Sequence, residues 1–76
     1  MKVTIKLFAF LRKGRFKTSI LEFPEGTSVL QVLDALSITA NERNIGILFV
    51  NGRHTNLDSI LKDGDVLAIF PPVAGG

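Results

Sequence analysis

The chain has 76 residues, no cysteine, a formal net charge of +2 and 46% hydrophobic residues. This is the size of one small domain, and the composition is too apolar for a disordered segment. The lack of cysteine excludes a disulfide scaffold, a thiolate metal site and a cysteine nucleophile. It also fits a cytoplasmic location: no apolar run approaches the roughly 18 residues of a membrane span, and the N-terminus has no continuous apolar segment of the signal-peptide kind.

Lys2 to Phe10 alternates. Val3, Ile5, Leu7 and Ala9 fall on one side, and Lys2, Thr4, Lys6, Phe8 and Phe10 on the other, so period two predicts a strand. Lys13-Gly14 breaks the pattern and predicts a hairpin turn. A second strand is expected over about Phe16 to Phe23, ended by the turn Pro24-Glu25-Gly26. Thr27 and Ser28 are N-cap candidates, and Ser28 with Gln31 has capping-box spacing. Val29, Val32, Leu33 and Leu36 then recur at i, i+3, i+4 and i+7, which predicts a helix with one apolar face ending near Ser37. Residues 38 to 45 read as irregular, with room for a turn of helix from Thr39.

Gly46 to Val50 reads as a third strand. Asn51-Gly52 is a strong hairpin signal because both central positions of that turn want positive φ. The return strand is Arg53-His54-Thr55. Leu57 to Leu61 suits a short helical turn, Lys62-Asp63-Gly64-Asp65 is a turn, and Val66 to Phe70 is the last strand. Pro71 and Pro72 cannot continue a central ladder and stiffen the way out of the domain. From Pro71 to Gly76 the chain can reach roughly 20 Å, at about 3.3–3.6 Å per residue. Gly75 and Gly76 carry no side chain to bar a narrow channel, although a Gly-Gly taken alone is equally compatible with a frayed end.

The order β-β-α-β-β-β, with one helix to cover one face of one sheet, gives an α+β class. The other face must meet water or a partner. The expected organisation is a domain over 1–70 and an extended tail over 71–76.

Single residues are weighed on the same footing. If Val3, Ile5 and Leu7 face the helix, Phe8 lies on the open face. Phe70 can join it there as an apolar patch near the root of the tail, of the kind that marks a partner surface. His54 falls where it can share that face. It has no second His or Cys with which to hold a metal. Arg12, Lys13, Arg15 and Lys17 crowd six positions; a solvated hairpin loop accounts for them, and docking of an acidic partner is the alternative. Nucleic acid is not expected, since phosphate binding draws on a broad basic face. Asp58, Asp63 and Asp65 are explained by turn chemistry. No phosphate loop, Ser-His-Asp set or zinc spacing occurs, so no self-contained catalytic site is read from these residues.

The whole pattern resembles the β-grasp, or ubiquitin-like, fold, and within it the small sulfur-carrier proteins of the MoaD/ThiS family. The residues that carry the resemblance are Leu7-Phe8-Ala9, Phe23 to Val29, Val50-Asn51-Gly52, and Leu61-Lys62-Asp63-Gly64-Asp65-Val66 running into Phe70-Pro71-Pro72-Val73-Ala74-Gly75-Gly76. The double proline is more like the molybdopterin-synthase small subunit than the thiazole carrier. The hairpin from Leu11 to Arg15 departs from that branch, lacking its acidic stretch.

The resemblance implies a mixed sheet of four to five strands with one main helix on one face and a flexible C-terminal tail. It implies that an E1-like enzyme, using ATP, adenylates the Gly76 carboxylate and that a sulfur donor converts it to a thiocarboxylate. The carrier itself would bind no cofactor or metal. Gly76 and Gly75 would be the reacting end, and Phe8, Phe70, Pro71, Pro72 and His54 the partner-binding set. The implied partners are that activating enzyme and a molybdopterin synthase large subunit or equivalent acceptor. A carrier for thiazole (thiamine) or another sulfur route stays open, as does a β-grasp module that binds protein or RNA without chemistry at its end.

Overall fold

The computed structural model describes residues 1–39 and 45–72. The helical turn expected after Thr39 and the segment 73–76, with Gly75 and Gly76, lie outside the described residues. The elements run β1 (Lys2–Leu7), a 3-10 helix (Ala9–Arg12), β2 (Thr18–Glu22), α1 (Val29–Ala35), β3 (Ile47–Val50), β4 (Arg53–His54) and β5 (Val66–Phe70). The strands form a single five-stranded sheet in the order β2-β1-β5-β3-β4. β1 and β5 pair in parallel at the centre, and the other neighbours are antiparallel. This is the α+β, β-grasp arrangement expected.

The alternation of β1 is realised as burial. Val3, Ile5 and Leu7 have no exposed surface and meet Val29, Val32 and Leu33 of α1, together with Leu67 and Ile69 of β5. Each such side chain contributes about 1.5–3 kcal/mol by leaving water. The helix starts as its sequence requires. The Ser28 side chain accepts from the Gln31 N–H, and the Gln31 side chain accepts from the Ser28 N–H, a complete capping box.

Two elements differ from expectation. β1 stops at Leu7. Ala9 takes a left-handed φ of 53° and the chain winds into the 3-10 helix, so Ala9 is exposed instead of inward. The gain is Leu11, which is 2% exposed and joins the core, while Arg12 Nε donates to the Leu7 carbonyl at 2.7 Å and caps the end of the strand.

Leu57 to Leu61 forms no helical turn either. Its carbonyls serve α1: Val29 N–H donates to Ser59 O at 2.9 Å and Leu30 N–H to Leu57 O at 3.0 Å. The first amides of a helix have no partner within it, and the turn at Leu57 and Asp58, with Ser59 after it, supplies one. Ser28 and Ile60 accordingly form an isolated bridge.

The turns carry the conformations that their residues allow. Asn51 and Gly52 have φ of 52° and 79°, the doubly positive geometry of the tight hairpin. The Asn51 amide also ties that hairpin to β5: Nδ2 donates to Asp65 Oδ1 and Oδ1 accepts from Val66 N–H, both at 2.9 Å. Asp63 Oδ1 accepts from Lys2 N–H at 2.7 Å and Asp65 Oδ2 from Lys62 N–H at 2.8 Å. The aspartates therefore hold turns together, and no cluster of three metal-ligating side chains exists among the described residues. Among those residues no helix is long and apolar enough to cross a membrane.

Candidate functional site

The face of the sheet away from α1 is divided. Its N-terminal part carries Lys2, Thr4 and Lys6, whereas aromatic rings crowd the other end. Leu7 pairs with Ile69 in the parallel register, and Phe8 remains extended at φ −126°, ψ 152°. Phe8 is therefore set beside Phe70, the last residue of β5. The two rings stack with centroids 4.1 Å apart and planes 10° from parallel.

The series continues across the sheet. Phe49 of β3 meets Phe70 edge-on at 5.8 Å, and His54 of β4 meets Phe49 edge-on at 5.8 Å. Four rings thus span the strand order β1-β5-β3-β4 on the open face, held by contacts worth about 0.5–1.5 kcal/mol each beyond burial. Phe8, Phe49 and Phe70 are half-buried and His54 is exposed.

An open groove begins at this ribbon. Phe8, Ala9, Phe10, Gly46, Ile47, Phe49, Phe70, Pro71 and Pro72 line it. Phe10 and Ile47 are 53% and 42% exposed there. An apolar surface of this kind, left to water, is the usual mark of a partner site. Pro71 and Pro72 in its lining are themselves half-buried.

Of the partner-binding residues expected from sequence, the structure brings Phe8, Phe70, Pro71 and Pro72 to one groove and links His54 to it through Phe49. Gly75 and Gly76 lie outside the described residues. Sequence reading missed Phe49, Ile47, Phe10 and Gly46. Phe49 and Ile47 were within reach, since they flank the inward Leu48 at period two.

The basic hairpin is partly structural. The Arg12 guanidinium lies 5.3 Å from the Phe8 ring centroid, a cation–π distance. Arg15 donates to the carbonyls of Leu11, Leu36 and Ser37. It thereby occupies carbonyls at the C-terminal end of α1, where a cation is favoured.

The family model described as the ThiS family matches residues 5–76. The chain belongs to the ThiS family. Solved structures agree with this membership. SAMP1 from Haloferax volcanii is 32% identical, with all of both chains covered and a TM-score of 0.76. A candidate molybdopterin converting factor subunit 1 from Pyrococcus furiosus is 32% identical over 96% of this chain and 99% of its own, at a TM-score of 0.75. A chain in the BexX/CysO complex from Amycolatopsis orientalis is 30% identical over 97% of this chain and 99% of its own, at 0.65. No curated protein matches the sequence significantly. As a ThiS-family chain, this protein is a ubiquitin-like sulfur carrier by family.

Proposed function

We propose that this protein carries sulfur on its C-terminal carboxylate, for molybdenum or tungsten cofactor (molybdopterin) biosynthesis. The observation that carries the reading is that the family match runs to Gly76 while Pro71 and Pro72, the stem of that same segment, line the apolar groove. On this reading residues 1–70 are the carrier body, 71–76 the presented tail, and the groove receives the partner enzyme.

The chemistry asks little of the carrier. A carboxylate is a poor electrophile. In the activating enzyme, a Gly76 carboxylate oxygen attacks the α-phosphorus of ATP, the bond to the β-phosphate oxygen breaks, and pyrophosphate leaves. Hydrosulfide-level sulfur then attacks the acyl carbon, the bond to AMP breaks, and a thiocarboxylate remains. The carrier supplies the reacting carbonyl and its placement. Gly75 keeps the approach narrow because it has no Cβ. Phe8, Phe70, Pro71, Pro72 and His54 hold the partner: first an E1-like adenylating enzyme, then a synthase large subunit.

The double proline and the likeness to the Pyrococcus furiosus protein support the molybdopterin route. A thiazole or other sulfur route is the second reading. It is favoured by relatives of comparable identity that go under other names, SAMP1 and the BexX/CysO complex. The protein is to be incubated with ATP, an E1-like enzyme and a sulfur donor and weighed intact. The expected result is a mass gain equal to sulfur minus oxygen, located in the C-terminal peptide and lost on deletion of Gly76. Full biological function after that deletion would favour the interaction-module reading instead. Capture of a synthase large subunit, against capture of a thiazole-forming enzyme, separates the two routes.

A further inference from the structure

We propose that Gly46 is a positioning residue for the chain end: its missing side chain leaves the space that the backbone of Pro71 and Pro72 occupies, and so sets the direction in which the chain leaves β5. The consequence for sulfur transfer rests on the carrier reading above, whereas the geometric part stands without it.

Gly46 lies just before β3, and its N–H donates to the Phe70 carbonyl at 2.8 Å. A Cβ built on it would stand 2.6 Å from the Pro71 carbonyl oxygen and 2.8 Å from both Pro71 C and Pro72 Cα. All three are backbone atoms. Gly14, Gly26, Gly52 and Gly64 differ in kind: each has a positive φ and open space where a Cβ would go. Those four are glycines for their dihedrals. Gly46 is one for room alone.

The obstructed atoms cannot turn aside as a side chain would. Proline fixes φ at both positions of the stem, and the Pro72 ring confines Pro71 to an extended ψ, so the Pro71 carbonyl has little room to rotate away and the stem shifts with it. Ordinary contact begins at 3.4 Å, so the Pro71 carbonyl would have to retreat by about 0.8 Å. A displacement of about 1 Å in a reacting group costs roughly a hundredfold in rate. The docking rings, Phe8, Phe49 and Phe70, lie on the strands beneath and need not shift. Misdirection of the chain end should therefore lower turnover, with docking weakened only by what Pro71 and Pro72 contribute to the groove.

The test compares the full chain with Gly46→Ala, and with Gly26→Ala as a control for general loss of stability. In the labelled proteins, nuclear Overhauser contacts between residue 46 and Pro71 and Pro72 are measured alongside those of the β1–β5 pairing. The wild type should show both sets. Gly46→Ala should lose or displace the first and keep the second.

In adenylation by the activating enzyme, Gly46→Ala should lower kcat about a hundredfold, a larger effect than any rise in KM, and Gly26→Ala should keep the wild-type kcat. Should Gly46→Ala fold poorly, the same substitution in a full chain carrying Pro71→Gly and Pro72→Gly decides. A stem freed to swing away should accept the methyl with a smaller fall in Tm than the native stem does.

Wild-type contacts between 46 and 71–72 that persist in Gly46→Ala would overturn the proposal, as would equal falls in Tm on both stems or a KM effect at constant kcat. A wild-type chain that is never adenylated would sink the carrier reading, while the contact and Tm measurements would still decide the role of Gly46.

Discussion

The stacked pair at the head of the groove can be tested in energy. Phe70 is half-buried, stacks on Phe8 at 4.1 Å and meets Phe49 edge-on at 5.8 Å. Truncating a fully buried Phe costs about 3–5 kcal/mol, and half-burial brings this to about 2 kcal/mol. The two aromatic contacts, about 0.5–1.5 kcal/mol each beyond burial, are part of what that truncation removes. Phe70→Ala is therefore expected to lower stability by about 2 kcal/mol, or Tm by roughly 10 °C in a domain of this size. The informative quantity is the coupling. Phe8→Ala, Phe70→Ala and the double variant, unfolded in urea, close a cycle whose interaction energy should be about 1 kcal/mol. Phe70→Leu retains much of the apolar area but no ring, and should lose about the same 1 kcal/mol. A coupling below about 0.3 kcal/mol, within the additivity error of independent sites, would refute the stack as a stabilising contact. The two rings would then be held apart in solution and the head of the groove would not be preformed.

The clip at Asn51 separates conformation from hydrogen bonding. Asn51→Gly keeps the positive φ and removes two side-chain bonds, for a loss of about 2 kcal/mol in urea unfolding. Asn51→Ala adds the cost of a left-handed φ and should lose about 1 kcal/mol more; equal losses would show that the dihedral carries no weight. Ser28→Ala removes the capping box and should cost about 1 kcal/mol, read as faster amide exchange confined to the first turn of α1. Exchange that rises evenly across the sheet would contradict a local role.

Much of this fold is legible because period and turn chemistry agree at each step. The alternation of Val3, Ile5 and Leu7, the Ser28–Gln31 spacing and the Asn51-Gly52 pair each specify local structure that tertiary contacts reinforce. The misses have a common cause, which is that a distant element decides. Ala9 continues the apolar alternation, yet the core has a place for Leu11 that only a 3-10 turn can fill. Leu57 to Leu61 has helical spacing, yet α1 needs its carbonyls. At the candidate site, Phe8, Phe70 and His54 were placed by parity alone. Gly46 was not, because nothing near it in sequence announces that Pro71 will lie 2.6 Å from its missing Cβ.

Topology explains why the groove and the stem coincide. β1 and β5 are parallel, so their C-terminal ends emerge at one edge of the sheet; β3 is antiparallel to β5, so it begins at that same edge. Phe8 after β1, Phe70 at the end of β5, and Gly46 and Ile47 at the start of β3 must therefore converge, whatever the rest of the chain does. The other end of the open face carries Lys2, Thr4 and Lys6, which a partner gains little by covering. On the carrier reading, an enzyme that seats itself on the rings is placed beside the Pro71–Pro72 stem. Docking at Phe70 and presentation from Pro71 then draw on neighbouring residues of one strand end, and no conformational change need be transmitted through the body.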